Sequence, residues 1–191
     1  MVGWQDPEEP GTLFAAELFS TDGYGDNRAA QRGNAVLRFA RGSADATASV
    51  YAHDYEHAGL VSRQEVEDGQ ISLYGTRDTR QGGSAGQALL TAGVHGGSAD
   101  APWSLRVSTI QRTMTLRDNF TGFLLDERRP GESAHDQRGD LIEFLYTAQT
   151  TSLDARAAST SHIDAGRVVT RAGAVGRYDD ATGQARRLRA L

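Results

Sequence analysis

The chain contains no cysteine, and all 20 of its basic residues are arginine. Without cysteine there are no disulfides, no thiolate nucleophile and no cysteine-held zinc. Without lysine there is no Schiff-base amine and no phosphate-loop lysine. Aromatic residues make up 7% of the chain and proline only 4 positions. Apolar runs last a few residues at most, so no stretch is long enough to cross a membrane as a helix. The formal net charge is −5, and the basic residues do not cluster before Arg186, Arg187 and Arg189. That distribution speaks against a nucleic-acid partner. The first residues are acidic and carry no apolar signal core, so the expectation is a cytoplasmic protein with no membrane partner.

Glycine, by contrast, is abundant, at 22 residues. Gly-rich punctuation between short apolar-polar segments points to turns and strands rather than a helical bundle. Strand candidates are Thr12–Ser20, Ala35–Ala40, Ser49–His57, Gln70–Arg77, Gln87–His95, the long Trp103–Arg117 as one bent strand or a tight pair, Phe120–Asp126, and Leu141–Ala148 as a strand or a short helix. Residues 151–161 read ambiguously. Short segments at Arg167–Arg171 and Arg177–Tyr178 precede a turn at Asp179–Gly183. Strands spaced about ten residues apart, with Gly turns, predict an all-β sandwich or barrel. Residues 1–11, with Pro7 and Pro10 around two Glu, read as a mobile arm or lid with Trp4 as its one anchor. Residues 12–191 then form a single domain.

The most informative stretch is Tyr51–Gly75. Tyr51, His53, Tyr55 and His57 occupy every second position. In a strand, all four rings project from one face. Such a face makes a poor dry core but a good lining for a chamber that holds a polar-tipped organic molecule, which favours a barrel. In a helix, the same letters from His53 to His57 spell H-x-x-E-H, a zinc-hydrolase motif with Glu56 as general base. No suitably placed third ligand accompanies it, so the strand reading is preferred. Tyr74, Trp103, Gln111 and Met114 are candidates to join the wall, Trp103 and Gln111 on one parity of the long segment and Met114 on the other. No Gly-x-Ser-x-Gly elbow and no dinucleotide fingerprint is present.

Two blocks carry a family resemblance. From Gly33 to Gly75 the chain runs Gly-Asn, an alternating strand, a polar-aromatic strand, then an acidic Asp68-Gly69 turn and a strand ending in Gly. The tail from Gly173 to Gly183 contains Gly176-Arg177-Tyr178 and Thr182-Gly183. Together they resemble the allene-oxide-cyclase-like barrels of the calycin type, and among them the spirotetronate cyclases that close polyketide chains by [4+2] cycloaddition. The resemblance implies an antiparallel β-barrel that folds a small hydrophobic linear substrate for ring closure without a cofactor or metal. In it Tyr51, His53 and Tyr55 would be catalytic, and His57, Tyr74, Trp103, Gln111, Met114 and Trp4 would bind substrate. Such chemistry needs only a held conformer and one or two polarising hydrogen bonds. The alternative from another class is a non-catalytic barrel that carries or senses similar molecules. A homodimer is compatible with either reading.

Overall fold

The computed structural model describes residues 2–5, 11–61, 63–76, 78–119 and 141–188. Eight strands form one antiparallel sheet in simple sequence order: β1 (Val2–Gln5), β2 (Leu13–Thr21), β3 (Ala30–Arg41), β4 (Ala44–Glu56), β5 (Gly82–Ser98), β6 (Ala101–Asp118), β7 (Leu141–Ile163) and β8 (Gly166–Leu188). A one-and-a-half-turn helix, α1 (Arg63–Glu67), sits between β4 and β5. The protein is therefore all-β, as its glycine punctuation and short alternating segments indicate. Among the described residues the sheet is open, with β1 and β8 as its two edges and no pairing between them.

The connections alternate in length. At one end β3 turns into β4 through Gly42-Ser43, β5 into β6 through Ala99-Asp100, and β7 into β8 through Asp164-Ala165. Gly42 adopts φ +56°, which a residue with a β-carbon rarely takes, so the two-residue hairpin depends on it. At the other end the connections are residues 22–29, 57–81 and 119–140. The first two are knitted to each other and to the sheet. The Asn27 side chain donates to the carbonyls of His57 (2.6 Å) and Gln81 (2.8 Å), and the Asp26 N–H donates to the Tyr74 carbonyl. Gln81 in turn accepts from the backbone N–H of Asn119.

Burial concentrates at that end. Among the described residues, Ala58, Glu65, Gln81, Asn119, Leu141 and Glu143 are buried there, as are Gly75 and Gly82, while Gly93 and Ala148 are buried further along the sheet. Elsewhere both faces stand open, and β8 is exposed along nearly its whole length.

Several local expectations change. Of the strand expected at Gln70–Arg77, the described residues Gln70–Thr76 are not a strand: the Asp68 N–H bonds back to the Gln64 carbonyl and the Gly69 N–H to that of Val66, ending α1 with Gly69 at φ +69°. The Gly75 N–H then bonds the Ser72 carbonyl in a further turn. The turn expected at Asp179–Gly183 is absent, because every residue of β8 from Gly166 to Leu188 pairs with β7. Leu141–Ala148 and the ambiguous residues 151–161 belong to one strand, β7. Residues 2–5 of the expected arm form β1, with Trp4 opposite Phe14. Phe120–Asp126 lies outside the described residues.

Candidate functional site on a two-faced sheet

The segment that decides between zinc motif and ring wall is extended. β4 runs from Ala44 to Glu56, paired residue by residue with β3 and β5. His53 and His57 are then about 13 Å apart along the chain rather than one helical turn, and Glu56 points to the opposite face from them. The helical H-x-x-E-H geometry does not exist here. Among the described residues, no group of three or more metal-ligating side chains comes together.

The rings form a ladder. Centroids are 6.3 Å apart from Tyr51 to His53, 5.0 Å from His53 to Tyr55 and 6.3 Å from Tyr55 to His57, the last two pairs stacked. His57 closes the ladder at the long-connection end, its Nε2 3.1 Å from the Arg117 carbonyl oxygen. Tyr55 lies over Gly83, where a β-carbon would come 3.1 Å from its hydroxyl oxygen.

The sheet register shows what shares the ladder's face. Tyr51 stands between Asn34 and Gln87, His53 between Arg32 and Ala85, and the row continues through Ala85 to Met114. Met114 thus joins the ring face. Gln111 and Trp103 project from the other face, and Tyr74 sits in the connection between β4 and β5. The eight expected site residues whose side chains are described therefore divide between two faces and a loop.

The ring face is strongly polar. Arg32 and Arg38 of β3, Arg106 and Arg112 of β6 and Arg156 of β7 project from it. So do Arg167, Arg171, Arg177 and Arg187 of β8. Its carboxylates are Glu17, Asp45, Asp118, Asp154 and Asp179. Four ion pairs cross or run along it: Arg32–Glu17 (3.0 Å), Arg106–Asp45 (3.4 Å), Arg156–Asp154 (2.7 Å) and Arg177–Asp179 (2.7 Å). Ser108 and Ser152 share a 2.8 Å hydrogen bond between them.

The opposite face is apolar over a continuous band. On β3 it shows Ala35, Leu37 and Phe39; on β4 the alternate residues from Ala44 to Ala52; on β5 those from Gly86 to Gly96; on β6 Trp103, Leu105 and Val107. On β7 it shows Leu153, Ala155 and Ala157, and on β8 the alternate residues from Val168 to Tyr178. No charged side chain interrupts the band. Its charges stand outside it, as with Asp54 and Glu56 above it on β4. Leu37 is 50% exposed, Leu90 53% and Leu153 49%, so no described residue covers this face.

The band is also slanted. Ala48, at its centre on β4, lies level with Leu90, Thr109, Thr151 and finally Tyr178 on β8. On β8 the apolar run is centred near Gly173, five residues nearer the short turns. Five residues is about 16 Å along the strand, and four strand spacings about 19 Å, a tilt of roughly 40° between the band and the perpendicular to the strands. The hairpin turns descend in the same sense: Ser98 lies four residues past Val94, the partner of Ala44.

At the long-connection end, beyond the band, two carboxylates are held ionised. Glu143, with its side chain 3% exposed, accepts from Arg117 at 2.9 Å and from Arg186. Those two guanidinium groups, Arg117 foremost, hold its carboxyl below the usual value against the effect of burial. Asp78 accepts two bonds from Arg80 (2.8 and 2.7 Å), and that pairing likewise depresses its carboxyl.

Comparison with protein-family models, with curated proteins and with solved structures returns no match, so the two-faced sheet itself carries the functional argument.

Proposed function

We propose that this sheet is wall of a membrane-spanning β-barrel, with its apolar face against lipid acyl chains and its ring face toward a water-filled interior. The observation that carries this reading is the uncharged apolar band, 9 to 11 residues high on β4, β5 and β8, tilted by roughly 40° to the sheet rows. A membrane-crossing strand needs about 9–11 residues at a tilt of about 45°. Barrel walls of this kind alternate apolar-out and polar-in, with short turns at one rim and long loops at the other. The sheet supports this reading with one apolar and one polar face, two-residue turns at one end and longer connections at the other.

Physical necessity points the same way. A soluble domain buries its apolar faces between two packed layers. Among the described residues a single layer leaves its apolar face open along six strands, and lipid would supply the missing layer. No helix of the described residues is long and apolar enough to cross a membrane, and strands satisfy their backbone groups by a different route, between neighbours. Closing the sheet into a barrel would remove its two open edges.

The test is reconstitution. The purified protein, folded from urea into lipid vesicles, is expected to float with the vesicles, to resist carbonate extraction and to show a β-type circular dichroism spectrum. Recovery in the soluble fraction with the same spectrum would overturn the reading.

The ring ladder supports a second reading, the cofactor-free cyclase or the small-molecule binder of similar architecture. Tyr51, His53 and Tyr55 present hydroxyl and imidazole edges in one row, as polarising a folded substrate would require. It ranks second because Tyr51 is 37% exposed and no described residue roofs the ladder, whereas such chemistry relies on a closed chamber. Conversion of a linear polyene by the purified protein would favour it.

A further inference from the structure

The geometry points to an interior that selects anions, a conclusion that rests on the barrel-wall reading. The chain as a whole is acidic, at −5, yet its ring face carries nine arginines against five carboxylates. The acidic residues are displaced to the connections and rims, as with Asp22, Asp26, Glu67 and Asp68, while the wall keeps a surplus of fixed positive charge.

Pairing does not consume that surplus. Four arginines are matched by the carboxylates beside them. Arg38, Arg112 and Arg171 form no ion pair among the described residues; Arg112 donates instead to the neutral side chain of Gln87 at 3.1 Å. Arg38 and Arg112 stand on β3 and β6, in the middle strands, and Arg171 nearer the short turns. Two strands lie between them, β4 and β5, with Thr47 and Thr91 level with Arg38 and with Ser108 of β6 ending that row.

Fixed guanidinium groups facing a confined aqueous path attract small anions and repel cations, and rings of basic side chains are the usual means by which pores select chloride or phosphate. The arginines also suit oxyanions, because the guanidinium fork matches their geometry. The ligand class is therefore a small inorganic anion, with chloride as the probe.

Single-channel recording in planar bilayers under a tenfold KCl gradient reads this directly. The expected reversal potential lies on the chloride side of zero, and Arg38→Gln with Arg112→Gln should lower the chloride-to-potassium permeability ratio by a factor of about two or more. A potassium-side or zero reversal potential would overturn the inference. So would vesicle-inserted protein that does not conduct, and in that case the barrel-wall reading would survive. Protein that fails to insert at all would overturn both. Flotation and circular dichroism of the double variant establish that it is inserted before its selectivity is compared.

Discussion

Trp103 lies across Gly96 on the neighbouring strand, so that a β-carbon on Gly96 would come 2.9 Å from the indole Cζ2. Both residues face the apolar side, next to the short Ala99-Asp100 turn, which in the barrel-wall reading meets the interface of the bilayer. Indoles favour that level because one edge is apolar and the other carries an N–H. Substituting Gly96→Val should push the indole off its seat at a cost of about 1–3 kcal/mol. With Trp4→Phe leaving Trp103 as the single tryptophan, its emission in vesicles should shift. Unchanged emission and unchanged quenching by brominated lipids would show that the indole does not rest there.

Leu90 and Thr91 are neighbours on β5 that point to opposite faces. If the apolar face meets lipid, Leu90→Arg should destabilise the vesicle-folded protein by about 2–4 kcal/mol. Thr91→Arg, on the polar face, should fall within about 0.5 kcal/mol of the parent. Leu90 is half exposed, so in a water-soluble sheet its substitution would change stability little. Urea titration of both variants in vesicles therefore separates the two environments, and equal small effects would count against lipid contact.

Glu143 gives the sheet a pH dependence with a definite sign. Its carboxyl is depressed by Arg117 and Arg186, so the folded state binds fewer protons than the unfolded state between the lowered value and the ordinary one of 4.5. Its contribution is fully present at neutral pH and is lost as pH falls below about 4.5 toward the folded value. Both arginines are about half exposed, so the pair is partly screened. Glu143→Gln should cost about 1–2 kcal/mol at pH 7 and flatten the acid limb of the stability profile. An unchanged acid limb in the variant would assign that limb to other carboxylates.

Strand content and the one-sided ring row were legible in the sequence because both follow from period-two alternation, a local signal. Ser49–His57 could be read from its parity alone, and so could the opposed faces of Gln111 and Met114. What could not be read was how the alternations combine. Apolar stretches such as Ala44–Ala52 look weak singly, because alanine is neither a strong strand former nor a strong membrane residue. They become a band only when the register sets Ala48 beside Leu90 and Leu37. The tilt of that band is encoded in four successive strand pairings that carry one row from Ala48 to Tyr178, more than a hundred positions further along the chain. Gln70–Thr76, the described part of the strand expected at Gln70–Arg77, shows the complementary case: Ile71 and Leu73 alternate, but no described strand pairs with them.

The ladder from Tyr51 to His57 discriminates between the two functional readings. Each stacked or tilted ring pair contributes about 0.5–1.5 kcal/mol beyond area burial, so His53→Ala, which breaks two contacts at once, should destabilise the sheet by roughly 1–2 kcal/mol. Because the ladder faces the interior in the barrel-wall reading, that variant should still insert into vesicles and float like the parent, while its conductance changes through the altered lining. In the cyclase reading, His53→Ala should instead abolish conversion of a linear polyene, and Tyr55→Phe, which keeps the ring contact and removes the hydroxyl, should lower the turnover rate with little change in stability. Parallel flotation, conductance and turnover measurements on these two variants decide the matter: a loss of insertion would place the rings against lipid, and turnover sensitive to the Tyr55 hydroxyl would make the ladder a catalytic wall.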